Sequence, residues 1–67
     1  MIPVSSSNLA AVEYNPETQT LLIQFHSGAL YAYYNVPSSV YQELLSAPSH
    51  GKYHATHIKK QYPYRRI

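Results

Sequence analysis

The sequence predicts a small α+β domain, a three-stranded antiparallel β-meander followed by two α-helices packed on one face. Three observations lead there. Three short runs rich in β-forming residues are separated by turn chemistry. Two later segments place their apolar residues at helical spacing. Proline stands where a helix must start or stop, at Pro37, Pro48 and Pro63. The 67 residues make one domain, 1–67, whose segments 1–7 and 63–67 are expected to be less ordered ends.

The first run, Leu9 to Tyr14, stops at Asn15-Pro16-Glu17-Thr18, which reads as a type I turn with Asn first and Pro second. The second run, Thr20 to His26, and the third, Ala29 to Tyr34, are joined by Ser27-Gly28 and read as a hairpin. If those two residues are the whole loop, His26 faces Ala29. One face of the pair then carries Leu21, Ile23, Phe25, Leu30, Ala32 and Tyr34, the expected core. The other carries Leu22, Gln24, His26, Ala29, Tyr31 and Tyr33. A loop one residue longer would exchange the faces, because the side-chain period of a strand is two.

Pro37 opens the first helix without sacrificing a needed N–H. Val40, Tyr41, Leu44 and Leu45 form its apolar stripe, and Pro48 ends it. Ser49 is placed to cap a second helix over about residues 50–61. There Gly51, Ala55, Ile58 and Tyr62 fall on one narrow stripe, with Lys52 and Lys59 pointing away. Pro63 stops it, leaving the basic, aromatic tail Tyr64-Arg65-Arg66-Ile67.

A chain this short buries only about 60% of the surface its unfolded form exposes, so each apolar contact matters. No cysteine is present, which excludes disulfides, thiolate zinc ligands and thiol chemistry. No apolar run is long enough to span a bilayer, and the first residues lack the features of a secretion signal, so the expected location is the cytoplasm. Eight of the nine aromatic residues are tyrosine, which presents an apolar face and a polar tip. The net charge of +2 is unevenly spread. Glu13, Glu17 and Glu43 are the only carboxylates and precede every cation; Lys52, Lys59, Lys60, Arg65 and Arg66 follow. A basic C-terminal third suits contact with something anionic, or a solvated tail.

Catalytic constellations are missing from the sequence. There is no aspartate to orient a histidine, no converging carboxylate pair and no glycine-rich phosphate loop. His50, His54 and His57 recur at helical spacing, but three such residues span ~10 Å of axis at 1.5 Å per residue, too far to converge on one ion. They read as surface or partly buried imidazoles. Neither a metal nor a cofactor is expected, and the protein is not expected to be an enzyme.

The ordered set Phe25-x-x-Gly28-x-x-Tyr31-x-Tyr33, then Val36-Pro37, Tyr41, Leu44, Ala47, Ser49-x-Gly51-x-Tyr53, Ile58 and Tyr62, resembles the KTSC domain family. The resemblance runs from about Ser5 to Tyr64. The family is named for the C-terminal extension of some lysyl-tRNA synthetases and also occurs as small free-standing bacterial proteins. Its central Tyr-x-Tyr corresponds to Tyr31-Ala32-Tyr33, and its place on a synthetase implies RNA binding. His54 departs from the pattern, standing where family members often carry a second aromatic after Tyr53. The family has no agreed catalytic residues, so none is carried over.

The sequence thus points to a non-catalytic binding domain for single-stranded RNA or tRNA. Tyr31 and Tyr33 would stack unpaired bases, and Lys52, Lys59, Lys60, Arg65 and Arg66 would hold phosphates. The competing role for the two tyrosines is core packing beneath a helix. The alternative function is a protein–protein interaction module that uses the tyrosine-rich sheet face.

Overall fold

A computed structural model describes all 67 residues. One antiparallel sheet carries five strands in the order of the chain: β1 (Ile2–Pro3), β2 (Leu9–Asn15), β3 (Thr20–Phe25), β4 (Leu30–Tyr33) and β5 (Tyr64–Arg66). The helices α1 (Ser38–Ser46) and α2 (His50–Tyr53) lie between β4 and β5 in sequence, and α2 continues into a π-helical turn, His54–Ile58. The expected α+β class holds, but the sheet has five strands rather than three and its last strand follows the helices. The ends read as less ordered supply both edge strands: Ile2 and Pro3 pair with Val12 and Ala11, and β5 pairs with β4. Two- and three-residue strands are too short to leave a periodic pattern, and Pro3 sits where a proline is tolerated, on an edge.

The β2–β3 loop follows its local chemistry. The Asn15 side chain accepts a hydrogen bond from the Glu17 N–H at 3.0 Å, and Gln19 at φ 54° closes the connection. The β3–β4 hairpin corrects the expected register. Its loop is His26-Ser27-Gly28, not Ser27-Gly28: the Gly28 N–H donates to the Phe25 carbonyl, the Phe25 N–H to the Ala29 carbonyl, and Gly28 takes φ 97°. This is the three-residue hairpin in which a left-handed glycine forms a bulge. The extra residue pairs Leu21 with Tyr33 and Ile23 with Tyr31, so β4 presents the opposite face from the one expected.

Leu9, Val12, Leu21, Ile23, Tyr33, Val36, Tyr41, Leu44 and Ile58 therefore form the core between sheet and helices. Leu30 and Ala32, assigned to the core from sequence, lie on the other face with Glu13, Leu22 and Gln24. Ala32 is still buried there, a methyl group between Leu22 and Arg65 on the neighbouring strands.

Helix α1 begins behind Pro37 and buries Tyr41 and Leu44 from the expected stripe. Its C-terminal carbonyls are partly satisfied by His50, whose Nδ1–H donates to the Leu44 carbonyl at 2.8 Å. Ser49 caps α2 as its sequence position implies, its Oγ accepting from the Lys52 N–H at 3.2 Å. The π turn corrects the second predicted stripe. The Lys59 N–H reaches five residues back to the His54 carbonyl, at 2.9 Å, instead of four. Ile58 is buried as expected, but with one extra residue in the turn His54 faces inward and Ala55 is exposed. No helix is long and apolar enough to cross a membrane.

Candidate functional site

The two single-residue insertions meet at one place. The hairpin bulge turns Tyr31 and Tyr33 toward the helices, and the π turn brings His54 down to meet them. Tyr33 Oη and His54 Nε2 lie 2.8 Å apart in a buried hydrogen bond. Tyr33 is 3% exposed and His54 7%. Around them the rings form a continuous set. Phe25 meets Tyr31 edge-on at 5.7 Å between centroids and His54 at 5.4 Å, and Tyr64 packs 5.6 Å from Tyr31 and 5.7 Å from Tyr33. Such separations fall within the range of favourable aromatic pairs.

These rings do not fill the space between them. They wall an open-sided cavity of about 350 Å³ that the exposed residues Asn8 and Lys59 also line. Burial pushes the Tyr33 phenol up to about 12, with the Tyr31 and Tyr64 phenols adding to the effect, so it remains a neutral hydroxyl at any ordinary pH. Burial, aided by the Lys59 charge, holds His54 below the ordinary imidazole value of 6.5, so its ring is neutral at pH 7. The site therefore offers flat apolar walls, a neutral polar pair inside and one cation at the rim. Nowhere in the molecule do three histidine, cysteine or carboxylate groups gather as metal ligands.

The seven residues singled out from sequence separate into groups. Tyr31, Tyr33 and Lys59 share the cavity. Lys60 stands with Lys59 on an adjoining shallow hollow lined by Tyr62, Pro63 and Tyr64. Arg66 lies opposite Tyr31 in the β4–β5 register and so shares its face. Arg65 lies opposite Ala32 on the other face, and Lys52 borders a different hollow beside Tyr53 and His57. An open stacking platform of Tyr31 and Tyr33 does not exist, because Tyr33 is core and Tyr31 is half-buried. The ring that is open is Tyr64, 57% exposed and bordering both hollows. Sequence reasoning missed Phe25, His54, Tyr64 and Asn8 as site residues. Tyr64 had a visible signal, a tyrosine between Pro63 and Arg65 in the basic tail, whereas the inward turn of His54 depends on a π turn that has none.

Comparison with known proteins adds four matches. A family model described as "KTSC domain" matches residues 5–62. Among solved structures, a KTSC domain protein from Yersinia pestis superimposes with a TM-score of 0.94 at 37% identity, covering 97% of this chain and 92% of that one. Among sequences, an uncharacterized protein of Stutzerimonas stutzeri is 45% identical over 67 residues, spanning 98% of this chain and 94% of its own. A protein of Nostoc sp. named lysine–tRNA ligase is 40% identical over the whole of this chain, which spans only 12% of that protein.

Proposed function

This chain belongs to the KTSC domain family, and from that premise we propose that it is a non-catalytic binding domain for single-stranded RNA, with tRNA in the cytoplasm as the natural example. The observation that carries the proposal is the shared surface of Tyr31, Tyr64, Lys59, Lys60 and Arg66, where half-open rings stand beside three cations. Aromatic faces that stack bases, with cations along the backbone path, are the two components of sequence-tolerant single-strand binding. The Nostoc relative's name couples a ligase to tRNA, which supports an RNA partner for the small domain as well. Lys52 and Arg65 are left out of the interface, since neither borders this surface.

The test is binding of short single-stranded RNA, followed by fluorescence anisotropy across a salt series. Three phosphate contacts give a log–log slope of about −2 for a single strand. Replacing Lys59 and Lys60 with glutamine should flatten that slope, and Lys52→Gln should leave it alone. Binding that ignores salt, or no binding at low salt, overturns the proposal. A second reading, docking of a partner protein, is favoured by one feature: β5 is an edge strand that begins at exposed Tyr64 and is followed by exposed Ile67. It predicts a salt-insensitive complex that Tyr64→Ala weakens and the lysine changes do not.

A further inference from the structure

We infer that the ring-walled cavity is a subsite for one unpaired nucleobase, its plane held among Phe25, Tyr31 and Tyr64, its edge met by the Tyr33–His54 pair, and the adjoining phosphate held by Lys59. The inference rests on the RNA reading and sharpens it from a surface to a slot. Its size comes first. About 350 Å³ lies near the lower end of the about 300–1,000 Å³ typical of ligand sites, which suits one small ring system. Its walls come second: four aromatic side chains and an imidazole line it, and flat faces select a flat guest.

The interior polar pair argues for a guest with hydrogen-bonding edges. A phenol and a neutral imidazole carry two protons between them, and the bond between Tyr33 and His54 uses one. In either tautomer one donor remains to be offered. No buried side-chain nitrogen or oxygen in the molecule lacks a partner. The second imidazole nitrogen of His54 bonds to nothing in the protein and is not sealed from solvent, and His54 is one of the residues that line the cavity. An apolar side chain from a partner protein would cover that nitrogen and the Lys59 ammonium without pairing either, a costly arrangement. A base edge, with donors and acceptors in its plane, satisfies the first, and its phosphate satisfies the second.

The position of the slot also matches an extruded base rather than a stacked run. Tyr64 forms part of its rim and continues onto the hollow beside Lys60, so a strand following those cations passes the mouth. One base can enter while its neighbour rests on the outer part of the Tyr64 ring. Asn8 also borders the slot, its side chain within ordinary contact range, 3.5 Å, of the point where a Cβ on residue 51 would sit.

The experiment is an NMR titration of the labelled protein with adenosine 5′-monophosphate, uridine 5′-monophosphate, ribose 5-phosphate and tyrosine amide in turn, and then with a short single-stranded RNA. At least one monophosphate should shift the signals of Tyr31, His54 and Lys59 saturably; ribose 5-phosphate, with the same charge and no base, should not. The RNA should move the same signals. Tyr31→Ala should weaken monophosphate binding by about tenfold or more. Tyr33→Phe, which keeps the ring in the core, should weaken it by about fivefold. RNA that binds without disturbing the cavity signals, alongside inert monophosphates, overturns the slot and leaves the RNA reading standing. Silence from every ligand overturns both. Monophosphate binding without RNA binding keeps the slot and removes the RNA reading. Saturable shifts with tyrosine amide and none with either monophosphate would assign the cavity to a protein side chain and overturn the inference.

Discussion

Tyrosine is used in opposite ways on the two sides of the helix-covered face. Between α1 and the sheet, Tyr41 of the helix and Tyr14 of β2 stack with ring centroids 4.8 Å apart and planes 15° from parallel, and the Tyr14 hydroxyl donates to the Val36 carbonyl at 2.6 Å. The rings close on each other, beside the fully buried Leu21, Val36 and Leu44. Under the π turn, Tyr31, Tyr33 and Tyr64 stand further apart, around a space they leave open. The difference lies in the partners. Aliphatic side chains adapt to the gaps between rings and seal them, whereas an imidazole, a lysine and further rings pack less closely. One side holds the domain together, and the other holds a vacancy that the first must support.

The largest effect should come from the sealed side. Leu21→Ala or Leu44→Ala is expected to cost about 2–5 kcal/mol, enough to unfold a domain of this size, as read by urea denaturation. Tyr31→Ala, at the cavity wall, should leave a folded protein; an equal loss from both would erase the distinction between the two sides. Next is the hydrogen bond inside the cavity. Tyr33→Phe leaves the His54 nitrogen without its partner and should cost about 1–3 kcal/mol in the same assay. Gly28→Ala comes third. No heavy atom stands within 4 Å of an added Cβ, so the penalty is that of a left-handed backbone alone, about 1–2 kcal/mol.

Acid should weaken the open side through His54. Its folded-state value lies below the ordinary 6.5, so between the two the unfolded chain binds the extra proton. The contribution is complete above about pH 6.5 and is lost as pH falls below it. Thermal melts from pH 7.5 to pH 5 should show that decline, and His54→Gln should remove it. The smallest effect belongs to Lys59→Gln. Removing the charge that helps keep the imidazole neutral should raise the His54 pKa while the fold stays intact, as followed by NMR titration of its ring protons.

Much of the sealed side could be read from residue order. Pro37, the Val40–Tyr41–Leu44–Leu45 stripe, Pro48 and the Ser49 cap act locally, and each appears where its own chemistry places it. The open side could not be read that way. It depends on one residue added to a hairpin loop and one added to a helical turn, and each insertion reassigns every side chain downstream of it on that element. Gly28 permits the first without requiring it, since a two-residue Ser-Gly loop was equally compatible with the sequence. The second is set by how His54 and Tyr33 meet across 21 residues of chain. The edge strands escaped notice for a different reason: their pairing is entirely long-range, and nothing in Ile2-Pro3 or Tyr64-Arg65-Arg66 anticipates it.

That β1 and β5 form opposite borders of the sheet also governs how the domain can be carried by something larger. Strands lie about 4.8 Å apart, so four spacings set a tether ahead of Ile2 roughly 19 Å across the sheet from β5. A body joined there would sit beside Val12 and Glu13, leaving the β5 border, with Arg65 and Arg66, facing outward. The same small unit can therefore be joined to a larger body through β1 with its β5 edge left unobstructed.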